Sequence, residues 1–227
     1  CWYVLFAIRG HYRMARVLHF RFEVAYLTDD QPEASLTDRI RKKTWIPKEV
    51  SRIRMAASRT CPRILAIVAR SEPTILLTKR SSGLSEYSSH VSFPGGHPAE
   101  SDHDVGATAL REAFEEIHLE PGAVQLVGCL PLHKTRKRNH AIFPVVGIVS
   151  GTADWEAAPA EVDEIFEFPF ATLLNPDLPR QYIDGARAGS WYWADQRHDI
   201  WGVTAVILKS LAGLALDSTH GKSLRHG

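Results

Sequence analysis

The sequence predicts an α/β sandwich, a sheet covered by helices on both sides. Three observations carry that reading. Short apolar, partly β-branched runs recur between turn signals. Two longer stretches, Ser101–Leu119 and Trp201–Leu216, have the length and apolar content of helices. The composition, 44% hydrophobic and 23% charged, is that of a globular chain rather than a disordered one. With 227 residues the chain suffices for one good-sized domain or a domain with appendages.

The elements follow in order. The opening run Cys1–Ile8 is apolar but short, and it lacks the leading positive charge of a signal peptide. The chain starts with Cys1 rather than Met, and Met14 is a candidate internal start. Residues 1–35 are therefore set apart, without an assigned role, from a domain over 36–216 and a tail over 217–227. Leu36–Thr44 fits a short basic helix. Arg63–Ala69 and Thr74–Thr78 read as a hairpin around Ser71-Glu72-Pro73. Val91–Phe93 is a third short strand, stopped by Pro94-Gly95-Gly96. Ser101 with Asp104 fits a capping box for the helix to Leu119, with Asp102 as the rival cap, and Pro121-Gly122 ends the element. Val124–Leu132 and Ile142–Val149 are strand-like, joined by a basic segment from Lys134 to His140. Ile165–Phe168 is another strand. Tyr182–Ile183 and Trp191–Trp193 are expected to pair as a late hairpin, and Trp201–Leu216 closes the fold as an apolar helix.

Charge and cysteine usage exclude several function classes. A net charge of +1 gives no whole-surface attraction to nucleic acid or to a membrane. No stretch reaches the ~18 apolar residues that span a bilayer. Cys1, Cys61 and Cys129 are odd in number and far apart, so they form neither a disulfide framework nor a metal-ligand spacing. A reducing, cytoplasmic setting is the expectation.

The chemistry concentrates in the first helix. On a helical wheel with Leu110 at zero, Phe114, Ile117 and Ala113 form one apolar face. Glu115, Glu112 and Glu116 fall at about 140°, 200° and 240°, so three carboxylates share the opposite face within one turn. A solvated acidic face and a metal site both fit this wheel. Acids spaced i, i+3 and i+4 repel one another, and no Lys or Arg sits four residues on to relieve them. They also lie toward the helix C-terminus, where the macrodipole disfavours negative charge. A hard divalent cation such as Mg²⁺ or Mn²⁺ would compensate.

The flanking residues carry a resemblance. Gly96, followed after a gap by Arg111-Glu112-Ala113-Phe114-Glu115-Glu116-Ile117-His118-Leu119, resembles the Nudix box, Gly-x5-Glu-x7-Arg-Glu-U-x-Glu-Glu-x-Gly-U with U apolar. The second half matches except that His118 replaces the penultimate Gly. In the first half Asp102 stands where the box has Glu, and the spacing from there to Arg111 is one residue longer. Upstream, Leu76-Leu77-Thr78-Lys79-Arg80-Ser81 and then Phe93-Pro94-Gly95-Gly96 resemble the signature of the coenzyme A pyrophosphatase branch. Ala107–Glu112, Pro159–Phe166 and Ile200–Ala205 are similar to that branch too. Its signature Arg falls here on Ser85, and its signature Gly on Ser89.

The resemblance implies a Nudix-type α/β/α sandwich with a mixed sheet. It implies hydrolysis of the pyrophosphate of coenzyme A or acyl-coenzyme A to adenosine 3′,5′-bisphosphate and 4′-phosphopantetheine or its acyl form. Glu112, Glu115 and Glu116 inherit the role of binding Mg²⁺ or Mn²⁺, and Arg111 that of holding the first glutamate by a salt bridge. A carboxylate, or a hydroxide bound to metal, supplies the attacking water; Glu161 and Glu164 are the loop candidates. Arg80, Gly95 and Gly96 are expected to contact substrate phosphates. The left-handed helix end that the family's Gly provides falls on His118, a residue that tolerates this region better than most. Lys134–Arg138 is either a solvated hairpin tip or a phosphate holder, Trp191, Trp193 and Trp201 are expected in the core, and His133 and His140 receive no role. The partner is a small nucleotide, and a homodimer stays open. Two other readings compete: a Nudix hydrolase of another nucleoside diphosphate derivative such as NADH or ADP-ribose, and an inactive Nudix binding domain.

Overall fold

The computed structural model describes residues 60–135, 140–194 and 197–220. The segment 1–35, the expected helix 36–44 and most of the basic segment 134–140 lie outside the described residues. The strands are β1 (Thr60–Ala69), β2 (Thr74–Arg80), β3 (Val91–Ser92), β4 (Val124–Cys129), β5 (His133–Lys134), β6 (Ala141–Ser150), β7 (Val162–Pro169), β8 (Arg180–Gln181), β9 (Trp191–Trp193) and β10 (Ile200–Trp201). The helices are α1 (Val105–Ile117) and α2 (Gly202–His220).

Seven strands make one sheet, in the order β3-β2-β1-β6-β4, with β5 on β6 and β7 on β2. β1 pairs with β6 in parallel over their full length, and the other pairs are antiparallel, so the sheet is mixed. β1 and β6 are buried on both faces, which is why their sequences are continuous apolar runs rather than alternating ones. Leu65 and Ile67 face one layer with Ile75, Leu77 and the α2 residues Ile207, Leu208 and Leu211. Ile64, Ala66 and Val68 face the other, with Leu76 and the α1 residues Val105, Ala109, Ala113 and Ile117. One helix therefore covers each side, and the expected α/β/α sandwich is found.

Boundaries differ where tertiary partners decide them. α1 starts four residues later than Ser101, because Asp104 is the cap: its carboxylate accepts the Ala107 N–H at 2.8 Å. The rival Asp102 is occupied elsewhere, by Arg111. The late hairpin forms with Arg180–Gln181, not Tyr182–Ile183, opposite Trp191–Tyr192, and β10 joins it as a third strand. α2 continues past Leu216 to His220, into the expected tail.

The sheet opens at one end. β2 pairs with β1 only through Thr74 and Ile75; further on, the same edge of β2 pairs with β3 through Thr78 and Lys79. β1 and β2 thus diverge, and Val91–Gly95 fills the gap. The Ile64 N–H donates to the Pro94 carbonyl at 2.8 Å, and Arg63 bridges to Gly95.

Candidate active site

α1 carries the acidic cluster at this open end. Its buried face runs through Val105, Ala109, Ala113, Glu116 and Ile117, whereas Phe114 is 40% exposed. The apolar face expected from the wheel is thus rotated: Phe114 leaves it and Glu116 enters it. Glu116 is only 3% exposed. Its Oε2 accepts the Gly95 N–H at 2.9 Å, and its Oε1 lies 3.5 Å from Arg80 Nη1. Burial raises its pKa above the usual carboxylate range, against the opposing pull of Arg63, the Gly95 N–H and Arg80. Burial also raises Glu112, opposed by its hydrogen bond to Arg111. Glu115 is half-exposed.

Arg111 relieves the acidic cluster from the position four residues before Glu115, not from the position after it. Its Nη1 donates to Glu115 at 2.7 Å and its Nη2 to Glu112 at 3.0 Å and to the His97 carbonyl at 2.8 Å. Asp102 accepts from Nε and Nη2, both at 3.0 Å. Burial disfavours the Asp102 charge, but Arg111 and the Ala99 N–H more than offset it, and its pKa falls below the ordinary value. Asp102 therefore fixes the arginine that in turn holds the two glutamates.

Each glycine of the wedge has a separate reason. Gly95 has φ +138°, and a Cβ there would overlap backbone of Pro62 and Arg63. A Cβ on Gly96 would overlap the Glu112 carboxylate. Both glycines thus make room for this chain's own groups at the site.

A cavity of about 720 Å³ opens beside these residues, within the usual range for small-molecule sites. Arg80, Gly95, Gly96, Glu112, Glu115, Glu116 and Glu161 all line it. Glu164 does not; its carboxylate lies 3.1 Å from His198 Nε2. The sequence reading missed several lining residues. Arg63 projects from β1 into the cavity, and Trp191, Trp201, His133 and His140 line it although they were given core places or no role. Trp193 is in the core as expected, its Nε1 donating to the Ala205 carbonyl. The signal that would have found Arg63 is its charge in an otherwise apolar strand.

His118 ends α1 in the left-handed region, φ 50° and ψ 27°. It also has a partner that the sequence did not suggest: its Nδ1 lies 2.9 Å from the Glu156 carbonyl, which can only accept. Ser89, at the family's Gly position, has φ 59°, so the loop keeps the backbone conformation a glycine would supply.

Hard oxygen donors on a rigid helix, two of them facing one cavity with their charge disfavoured by burial, fit a divalent cation. Among the described residues no three His, Cys, Asp or Glu side chains are already gathered in metal-binding geometry. Glu115 is turned to Arg111 and Glu116 to Gly95 and Arg80.

The family model described as the NUDIX domain matches residues 59–187. A Photorhabdus laumondii protein called uncharacterized Nudix hydrolase NudL is 38% identical over 155 residues, 66% of this chain and 81% of that one. The protein of the same name from Escherichia coli O1:K1 is 38% identical over 157 residues, 66% of this chain and 79% of that one. Among solved structures, a MutT/nudix family protein from Enterococcus faecalis has a TM-score of 0.45 at 11% identity, over 82% of this chain and 76% of that one. The NUDIX domain of Shewanella oneidensis NrtR complexed with ADP ribose has a TM-score of 0.41 at 18% identity, over 57% of this chain and 81% of that one. With the family model spanning more than half of its length, the chain belongs to the Nudix family and is a Nudix pyrophosphohydrolase.

Proposed function

We propose that the enzyme hydrolyses the pyrophosphate bond of coenzyme A or acyl-coenzyme A, with Mg²⁺ or Mn²⁺ held by Glu112, Glu115 and Glu116. One observation supports the substrate most directly. The two halves of the branch signature, Leu76–Ser81 and Phe93–Gly96, are neighbours across the cavity, through the pairing of β2 with β3. They bring Arg80, Gly95 and Gly96 into the lining of the cavity that Glu112 and Glu116 also line, with Arg80 and Gly95 in contact with Glu116. Ser89, where the signature has Gly, has a positive φ of the kind that favours glycine, although Ser85 supplies no cation where the signature has Arg.

The cation, when bound, neutralises phosphate oxygens and the charge that develops on the leaving group. The chain's own residues do the rest. Arg111 and Asp102 hold Glu112 in place. The Gly95 N–H does the same for Glu116. Arg80 offers a guanidinium to phosphate oxygens on the cavity wall. Glu161 is the candidate base to take a proton from the attacking water, a reading supported by its lining the cavity where Glu164 does not.

The test is a substrate panel. The protein is incubated with Mg²⁺ or Mn²⁺ and with coenzyme A, acetyl-coenzyme A, NADH, ADP-ribose or a nucleoside triphosphate, and products are identified by mass. Adenosine 3′,5′-bisphosphate from coenzyme A at a higher kcat/KM than any product from NADH or ADP-ribose is expected. Preference for either of the latter would replace the proposed substrate.

A further inference from the structure

Arg63 is a cation with no carboxylate in salt-bridge contact among the described residues, placed where a strand interior should be apolar. Its neighbours along β1, Ile64 to Val68, are fully buried. Its Nη1 donates to the Phe93 carbonyl and, at 3.4 Å, to Ser92 Oγ. Arg80 lines the same cavity and is also incompletely satisfied, since its Nε is buried without a hydrogen-bond partner. Two guanidinium groups so placed repel each other. Burial pushes the Arg63 pKa below its ordinary range; the Glu116 field opposes the push, and the Arg80 cation adds to it.

Partly buried charges of one sign are costly unless a counter-charge completes them. Glu116 lies 3.5 Å from Arg80 and is the main charge that favours the Arg63 cation, and it is shared with the Gly95 N–H. A cation bound to Glu116 would compete for that charge and leave the two arginines in need of an anion. Planar guanidinium groups bind phosphate oxygens in forked pairs.

We propose that Arg63 and Arg80 together form an anion subsite that grips the substrate's pyrophosphate, with Arg63 as a substrate-binding residue beyond the family signature. The proposal rests on the cavity being the site of phosphoanhydride hydrolysis. It does not depend on which nucleoside diphosphate derivative is cleaved.

Two variants test it, Arg63→Met, which keeps length and loses charge, and Arg63→Lys, which keeps charge and loses the fork. Binding of imidodiphosphate, a pyrophosphate analogue that resists hydrolysis, is measured by calorimetry in millimolar Mg²⁺. Arg63→Met should weaken binding by about tenfold or more, and Arg63→Lys by less. With coenzyme A, Arg63→Met should raise KM by a similar factor while kcat falls less. Affinity and KM within about twofold of the parent in Arg63→Met would overturn the subsite. If Arg63→Met does not fold, Arg63→Lys decides alone, and unchanged imidodiphosphate affinity overturns the proposal. Arg63-dependent imidodiphosphate binding without coenzyme A turnover would sink the substrate assignment and leave the subsite standing. Coenzyme A turnover indifferent to Arg63 would do the reverse.

Discussion

Glu116 is the residue at which folding and chemistry conflict most. It is buried on the helix face that packs the sheet, and its ionised form is disfavoured there. Glu116→Gln removes that charge and keeps the shape. A carboxyl whose folded pKa lies above its unfolded value contributes stability below the unfolded pKa and loses it as pH rises through the folded one. The metal-free Gln variant should therefore gain on the parent as pH rises above the ordinary value of 4.5. Urea unfolding at several pH values checks this; a parent that becomes relatively more stable toward neutral pH contradicts it. His118 poses a smaller conflict, because its positive φ is unfavourable while its bond to Glu156 is favourable. His118→Ala keeps the first and loses the second, so it should cost about 1 kcal/mol. His118→Gly should be the more stable of the two, and the reverse order would mean that this helix end is not left-handed. The periodicity of the sequence made the acidic triad legible, and the resemblance to the Nudix box, whose Gly falls on His118, implied the left-handed helix end. It could not show Glu116 as buried, because the wheel assigns faces by polarity and here a carboxylate shares the core face.

At the scale of elements, the wedge Val91–Gly95 between β1 and β2 organises the site. Gly95 at its end and the following Gly96 separate fold from function. Gly95→Ala would place a Cβ against β1 backbone at φ +138°, and neither can yield. It should destabilise by about 1–3 kcal/mol or more. Gly96→Ala meets only the end of a flexible glutamate. It should keep most of the stability but lose Mg²⁺-dependent turnover, because Glu112 must leave its position. Melting temperature and kcat measured on both variants check the contrast; equal losses of stability would refute it. The strands themselves were legible as apolar runs between turns. The short strand Val91–Phe93 and its Pro-Gly-Gly stop were legible too, but not its insertion between β1 and β2, because pairing between strands leaves no local period. Arg63 was missed because the expected strand began at it, where a charge is ordinary, whereas β1 starts at Thr60 and places Arg63 inside the strand.

At the scale of the molecule, the parallel pairing of Thr60–Ala69 with Ala141–Ser150 sets the architecture. Such a distant pairing leaves no local trace in the sequence, and only the general layering could be anticipated. The two helices, one on each side, then leave the open sheet end as the place where α1 carboxylates, wedge glycines and arginines converge. A cation that binds this assembled set and not the unfolded chain stabilises it by mass action, by about 2.7 kcal/mol at a hundredfold excess over Kd. Mg²⁺ or Mn²⁺ should raise Tm, and Glu112→Gln should blunt the rise. An unchanged Tm across millimolar metal would favour a domain without a metal site.

The most direct measurement is coenzyme A turnover at saturating Mg²⁺ in the parent and Glu116→Gln side by side, with products identified by mass. The parent should release adenosine 3′,5′-bisphosphate and 4′-phosphopantetheine. The Gln variant, folded by circular dichroism, should lose nearly all of that activity. Undiminished turnover in the variant would contradict the assignment of the site, and a folded, metal-supplied parent that leaves coenzyme A intact would contradict the proposed reaction.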